Sequence, residues 1–172
     1  MSGVYRRRPL RSALASVAAG ALVTATVVPT VAEEAEPSDR PGTLVLTPST
    51  QEGPFYPVEL PADRDADLTL VEGAADRASG EVLILDGQLL ASDGQPVDGA
   101  VVEIWQTDDR GVYLHPQDPD IADRDPAFQG YGESVTDSMG AWSFRTILPE
   151  IYGGRPRHIH AKVKLEGETV LT

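Results

Sequence analysis

One stretch near the end of the chain decides how the rest is read: Tyr152-Gly153-Gly154-Arg155-Pro156-Arg157-His158-Ile159-His160, followed by the alternation Ala161-Lys162-Val163-Lys164-Leu165. Successive side chains of a β-strand point to opposite faces. A strand beginning at His158 therefore puts His158 and His160 on one face and Ile159, Ala161, Val163 and Leu165 on the other. Two residues along a strand span about 6.6 Å, and two imidazoles leaning together from that separation can close on one cation at about 2.1 Å each. The same spacing also suits the wetted face of an ordinary amphipathic strand, so the pattern alone leaves both readings open.

Strand patterns recur upstream. Val82-Leu83-Ile84-Leu85 continues through Leu89-Leu90 to the turn Ser92-Asp93-Gly94-Gln95-Pro96, after which Ala100-Val101-Val102-Glu103-Ile104-Trp105 resumes as a strand. These two runs read as neighbouring antiparallel strands. A third strand, Ala141 to Ile147, follows the turn Asp137-Ser138-Met139-Gly140 and puts Trp142, Phe144 and Thr146 on one face. Residues 43–47 read as a further short strand. Helical periodicity of useful length is absent beyond residue 31, and the expected fold is all-β, a β-sandwich.

The connections are equally informative. Residues 108–133 form a long insertion holding Gly111-Val112-Tyr113 and His115-Pro116-Gln117-Asp118-Pro119-Asp120. A connection of that length inside a sandwich is usually functional or disordered, and its prolines, glycines and aromatics point to an ordered loop close to a site. Residues 50–57, dense in turn formers, read as a loop that packs Phe55 and Tyr56 onto the body. Residues 62–79, rich in Asp and poor in large apolar side chains, read as surface connection.

The 172 residues suit one domain, expected at 43–172, large enough for a real core. Ahead of it stand Arg6, Arg7, Arg8 and Arg11, an uncharged apolar run over 12–31, and a small residue, Ala32, before Glu33 and Glu34. That order is expected for an export signal at 1–32; a membrane anchor is the alternative, though the run is only marginally long enough to span a bilayer. Tyr5-Arg6-Arg7-Arg8-Pro9-Leu10-Arg11 resembles a twin-arginine signal with Pro9 in place of the usual Phe, a route that exports folded proteins with cofactor inserted. Acidic residues 33–42 read as a flexible linker. The chain carries 14 Lys and Arg against 27 Asp and Glu; residues 1–32 hold four Arg and no acid, so removing them leaves 10 against 27 and a net charge near −17. Nucleic acid is thereby excluded as a partner, and no membrane association is expected after signal removal; a homo-oligomer is left open. Cysteine is absent, so neither disulfides nor thiolate metal sites can form, and a metal must be held by His, Tyr, Asp or Glu.

Taken in order, Gly53-Pro54-Phe55-Tyr56, then Pro96-Val97-Asp98-Gly99-Ala100-Val101-Val102-Glu103-Ile104-Trp105-Gln106, then Gly111-Val112-Tyr113, Thr136-Asp137-Ser138-Met139-Gly140, Phe144-Arg145-Thr146-Ile147-Leu148-Pro149, Tyr152 and Arg155-Pro156-Arg157-His158-Ile159-His160 resemble the intradiol ring-cleavage dioxygenases, closest to their exported branch. The resemblance covers roughly residues 46–172. It implies a non-haem Fe(III) ion held by Tyr113, Tyr152, His158 and His160 with hydroxide as fifth ligand, Tyr113 being retained and Tyr152 leaving when substrate binds. Phenolate is a hard anionic donor, and a Tyr of ordinary pKa about 10 deprotonates readily only beside a strongly Lewis-acidic cation. The implied reaction takes a catechol and dioxygen to a cis,cis-muconic acid derivative, with Tyr152 accepting a catechol proton and Arg155 stabilising developing negative charge.

Pro54, Tyr56 and Trp105 are expected to shape the substrate pocket, core packing being an equal reading for Trp105. His115 is read as exposed or supporting and not as a ligand. Two departures stand out: Arg157 occupies a position where relatives carry a small residue, and the chain ends at Thr172 where the family continues, so the domain is expected to be incomplete at its C-terminus. The rival readings are a non-catalytic transthyretin-like binding sandwich and a zinc hydrolase using His158, His160 and a carboxylate.

Overall fold

A computed structural model describes residues 44–172 and, as backbone alone, Gly20–Thr26. Its strands are β1 (Gly20–Thr26), β2 (Val82–Leu90), β3 (Val101–Trp105), β4 (Tyr131–Val135), β5 (Ala141–Ile147), β6 (His160–Leu165) and β7 (Glu168–Leu171), with one 3-10 turn at Ile121–Asp123 among the described residues. They form two antiparallel sheets, ordered β1-β2-β5 and β4-β3-β6-β7. The protein is an all-β sandwich. Apart from Gly20–Thr26, which pairs along β2, the expected export segment at 1–32 and linker at 33–42 lie outside the described residues. Among the described residues no helix is long and apolar enough to cross a membrane.

The period-2 pattern sets which side chains meet. Leu83, Leu85 and Leu89 of β2 and Trp142, Phe144 and Thr146 of β5 are buried, and in the register Leu85 faces Phe144 while Leu83 faces Thr146. In the second sheet Val102 pairs with Val163 and Ile104 with Ala161, whereas Glu103 pairs with Lys162 and Trp105 with His160. Val102, Ile104 and Val163 join the apolar core between the sheets, with Leu85, Leu89, Trp142 and Phe144. The second set points outward, where Phe55, Trp105, Tyr113 and Tyr131 make a separate aromatic cluster. Strand β3 is thus covered on both faces.

The structure corrects several expectations. Strands β2 and β3 are not neighbours but lie in opposite sheets. Both runs are apolar on a core-facing side, and burying one against the other face to face satisfies both. The chain first turns back on β2, where Val97 N–H donates to the Leu89 carbonyl at 3.0 Å, and then crosses over. Residues 44–47 form no strand, and Leu44, Val45 and Leu46 are exposed. Strand β6 begins at His160 and not at His158, because its partner β3 ends at Trp105. Two strands had no legible pattern: β4, which mixes Gly and charge, and the short β7.

Residues 62–79 are more than surface connection. Leu68 is fully buried within the core. Around it the chain forms a strap across one open side of the sandwich: Leu68 N–H donates to the Arg145 carbonyl and Arg145 N–H to the Ala66 carbonyl, both at 2.8 Å, while Glu133 N–H donates to the Arg64 carbonyl at 2.8 Å. The edges of β5 and β4 are thereby capped, which removes two templates for intermolecular strand pairing.

Candidate active site

Tyr113 is delivered by the first half of the long insertion. After β3, Gln106 bridges the sheets by donating from Nε2 to the Ile147 carbonyl at 2.8 Å and accepting from Thr146 Oγ1 at 2.9 Å. Buried Asp108 then folds the next turn: its Oδ1 accepts Arg110 and Val112 N–H at 2.9 and 3.0 Å, and its Oδ2 accepts Asp125 N–H at 2.8 Å. An Asp side chain bonding backbone two residues on is a self-made turn. Gly111, at φ 84°, brings this turn so close to the neighbouring segment that a Cβ would lie 2.6 Å from the Ile151 carbonyl oxygen. Asp118 Oδ2 finally accepts Tyr113 N–H at 2.9 Å. The tyrosine is 1% exposed.

The other three donors come from the stretch first quoted. Tyr152 and Arg155 close a turn over Gly153 and Gly154, with Arg155 N–H donating to the Tyr152 carbonyl at 2.8 Å. Tyr152 remains half-buried. His158 sits in the irregular segment before β6, where its Nδ1 is 2.7 Å from the Pro156 carbonyl. A carbonyl only accepts, so Nδ1 carries the proton and Nε2 offers a lone pair. That Nε2 lies 3.1 Å from Tyr113 Oη, which therefore donates to it. His160, opening β6, lies flat on Trp105 with ring centroids 4.8 Å apart and planes 7° from parallel.

These four side chains converge. Ring centroids are 5.0 Å apart for His158 and His160, 5.4 Å for Tyr113 and Tyr152, and 6.1 Å for Tyr113 and His160. Burial pushes the Tyr113 phenol up to about 12, with Tyr152 and Asp118 adding to the rise and Arg155 opposing it. Burial also pulls His160 down to about 4, with the neighbouring His158 and Arg155 adding to the fall. The unliganded set is therefore a neutral phenol and a neutral imidazole, and the latter is the metal-binding form.

The donor set discriminates among metals. No group of three His, Cys, Asp or Glu that could hold a metal exists among the described residues, so a zinc site built on His158, His160 and a carboxylate is not formed. The convergent donors are two imidazoles and two phenols, and phenols yield their protons only to a strongly Lewis-acidic cation. The residues fit a ferric ion.

A cavity of about 660 Å³ opens beside the site. Pro54, Arg155, His158 and His160 line one part of it, and Leu85 and Trp142 line its apolar depth between the sheets. Tyr56 and Trp105, expected at the pocket wall, are not among its lining residues. Trp105 stands behind His160, and Tyr56 packs edge-on to Trp105 at 5.0 Å, donating from Oη to Glu103 Oε2 at 2.9 Å. His115 is buried, and its Nδ1 accepts Gln117 N–H at 3.1 Å, so it braces the loop. Arg157 turns away to pair with Glu150 at 2.7 Å. Two contributors escaped the sequence reading. Phe55 stacks on Tyr113 at 4.8 Å and meets Tyr152 edge-on at 5.0 Å, and its place beside Pro54 and Tyr56 in one block was the available signal. Asp118, hidden in a turn-rich run, had none.

Comparison with known proteins identifies the family and agrees with the all-β fold. A dioxygenase family model matches residues 51–170. The protocatechuate 3,4-dioxygenase beta chain of Burkholderia cepacia is 36% identical over 117 residues, covering 64% of this chain and 50% of that protein. The catechol 1,2-dioxygenase of Acinetobacter baylyi is 33% identical over 144 residues, covering 73% of this chain and 44% of that protein. In three dimensions an intradiol ring-cleavage dioxygenase from Tetranychus urticae superposes with a TM-score of 0.55 at 28% identity, over 72% of this chain and 60% of that one. The chain spans about half the length of the curated relatives it matches. With the family model matched over most of its sandwich and the ordered sequence blocks present, this chain belongs to the intradiol ring-cleavage dioxygenase family.

Proposed function

We propose that the protein opens a catechol between its two hydroxyl-bearing carbons with dioxygen, giving a cis,cis-muconic acid derivative, on a ferric ion held by Tyr113, Tyr152, His158 and His160. The observation that carries this reading is the meeting of Tyr113 Oη and His158 Nε2 at 3.1 Å, with Tyr152 and His160 beside them. The names of the relatives, a catechol 1,2-dioxygenase and a protocatechuate 3,4-dioxygenase chain among them, support the same class of substrate.

A bound ferric ion supplies the Lewis acidity that lowers phenol and catechol pKa values and makes the ring reactive toward dioxygen. The chain does the rest. Tyr113, deeply buried and tied down through Asp118, is the fixed anionic donor. Tyr152 is half-buried where Tyr113 is buried, at the start of a turn over Gly153 and Gly154, and this would suit a donor that gives way to substrate and accepts a catechol hydroxyl proton. Arg155 lines the cavity, and its charge already acts on both Tyr113 and His160, so it favours a substrate or product carrying negative charge at that wall. Pro54 limits the space beside His158 and His160.

The basic and apolar order of residues 1–32 supports action outside the cytoplasm after export by the twin-arginine route. The test of activity is oxygen uptake by iron-loaded, folded protein with catechol, protocatechuate and hydroxyquinol. One of these is expected to consume oxygen and yield a ring-opened diacid; no uptake with any of them would overturn the proposal.

A further inference from the structure

Beyond His160, strand β6 carries two lysines on the same outward face, and the site described above uses neither. Lys162 is 5% exposed. Its ammonium lies over the Tyr56 ring, 3.4 Å from the centroid, and 5.5 Å from that of Trp105, and it pairs with Glu52. Lys164 pairs with buried Glu103 and donates to Tyr56 Oη at 3.3 Å, while Tyr56 Oη donates to Glu103 Oε2.

A charge cluster that buries Lys162 and Glu103 is an inefficient way to stabilise a sheet. Desolvation offsets much of the attraction, and well-packed apolar side chains commonly do as well or better. What this cluster accomplishes is local: it fastens both ends of segment 52–56 to the strand that bears His160. Each residue between those ends touches the site. A Cβ on Gly53 would lie 3.3 Å from His160 Cε1. Pro54 lines the cavity, and Phe55 stacks on Tyr113.

We propose that Lys162 and Lys164 are positioning residues for the catechol pocket, holding segment 52–56 through Glu52, Tyr56 and Glu103 and so setting both the Pro54 wall and the seating of Phe55 on Tyr113. This rests on the function proposed above and names residues to which that function had assigned no part. It separates them from a merely structural role, which would lower global stability and leave the pocket unchanged.

The experiment compares full-length wild type with Lys162→Met, Lys162→Arg and Tyr56→Phe by amide hydrogen exchange and by catechol kinetics of the iron-loaded proteins. In Lys162→Met the amides of Gly53, Phe55 and Tyr56 are expected to exchange about tenfold faster, as for loss of one charge-assisted contact, with β2 and β5 unchanged. The KM for catechol is expected to rise by about the same factor with kcat changed less. Lys162→Arg restores both. Tyr56→Phe keeps the ring under Lys162 and removes only the hydroxyl bonds; it is expected to loosen the same amides, and it decides the matter if Lys162→Met does not fold. Wild-type exchange over 52–56, or acceleration spread evenly over both sheets, overturns the clamp. A wild type inactive toward catechol overturns the proposed function instead, and the exchange pattern still judges the clamp.

Discussion

Tyr113 and His158 share one proton in the metal-free site, donated by Tyr113 Oη to a nitrogen that Pro156 has already fixed as the acceptor. A bound ferric ion would be held by this oxygen and this nitrogen, and its Lewis acidity would favour loss of the phenol proton. Proton competition at the other imidazole is weaker, because burial holds His160 down at about 4 from an ordinary 6.5. The sign follows: between those two values the unfolded chain takes up a proton that the folded chain refuses, so this residue lowers stability as pH falls from about 6.5 toward 4. NMR titration of the metal-free protein should show His160 titrating near pH 4; a midpoint near 6.5 would mean that the ring is not buried against Trp105.

At this scale the four side chains that the structure brings together were legible because Tyr113, Tyr152, His158 and His160 stand inside ordered sequence blocks. The side chains that position them were not. Tyr56 and Lys164 are 108 residues apart in sequence, and nothing local in either announces the other.

The strap over residues 64–69 shows what periodicity can and cannot give. Alternation identified β2, β3, β5 and β6, because one apolar face must be buried and a period of two says which face. It did not say which strand lies alongside which, and so β2 and β3 were expected in one sheet when they face each other across the core. Nor could it mark Leu68, a lone apolar side chain in an Asp-rich run whose burial depends on backbone bonds to Arg145 and Gln129 far along the chain. Leu68→Ala is expected to cost about 2–5 kcal/mol in urea unfolding, as for other fully buried leucines. A cost below about 1 kcal/mol would mean that the strap lies on the core without closing it.

The whole molecule is organised around β6. One face of that strand feeds Val163 into the core between the sheets, and the other presents His160 to the cluster of Tyr113, Tyr152 and His158 and Lys162 and Lys164 to segment 52–56. The sandwich is closed on one side by the strap, while the cavity runs from its apolar depth to Pro54, Arg155 and the histidines. Under the proposed function this cavity would give a catechol ring an apolar bed with its hydroxyls toward His158 and His160. Everything in that account depends on Tyr113 and Tyr152 acting as ligands and not as ordinary buried aromatics. The most direct test is the visible absorption spectrum of the full-length protein loaded with iron, beside Tyr113→Phe and Tyr152→Phe. The account predicts a red-brown wild type with stoichiometric iron, its tyrosinate-to-iron band strongly reduced by the first substitution and altered by the second. A colourless protein holding stoichiometric zinc, or a band unchanged in both variants, would contradict it.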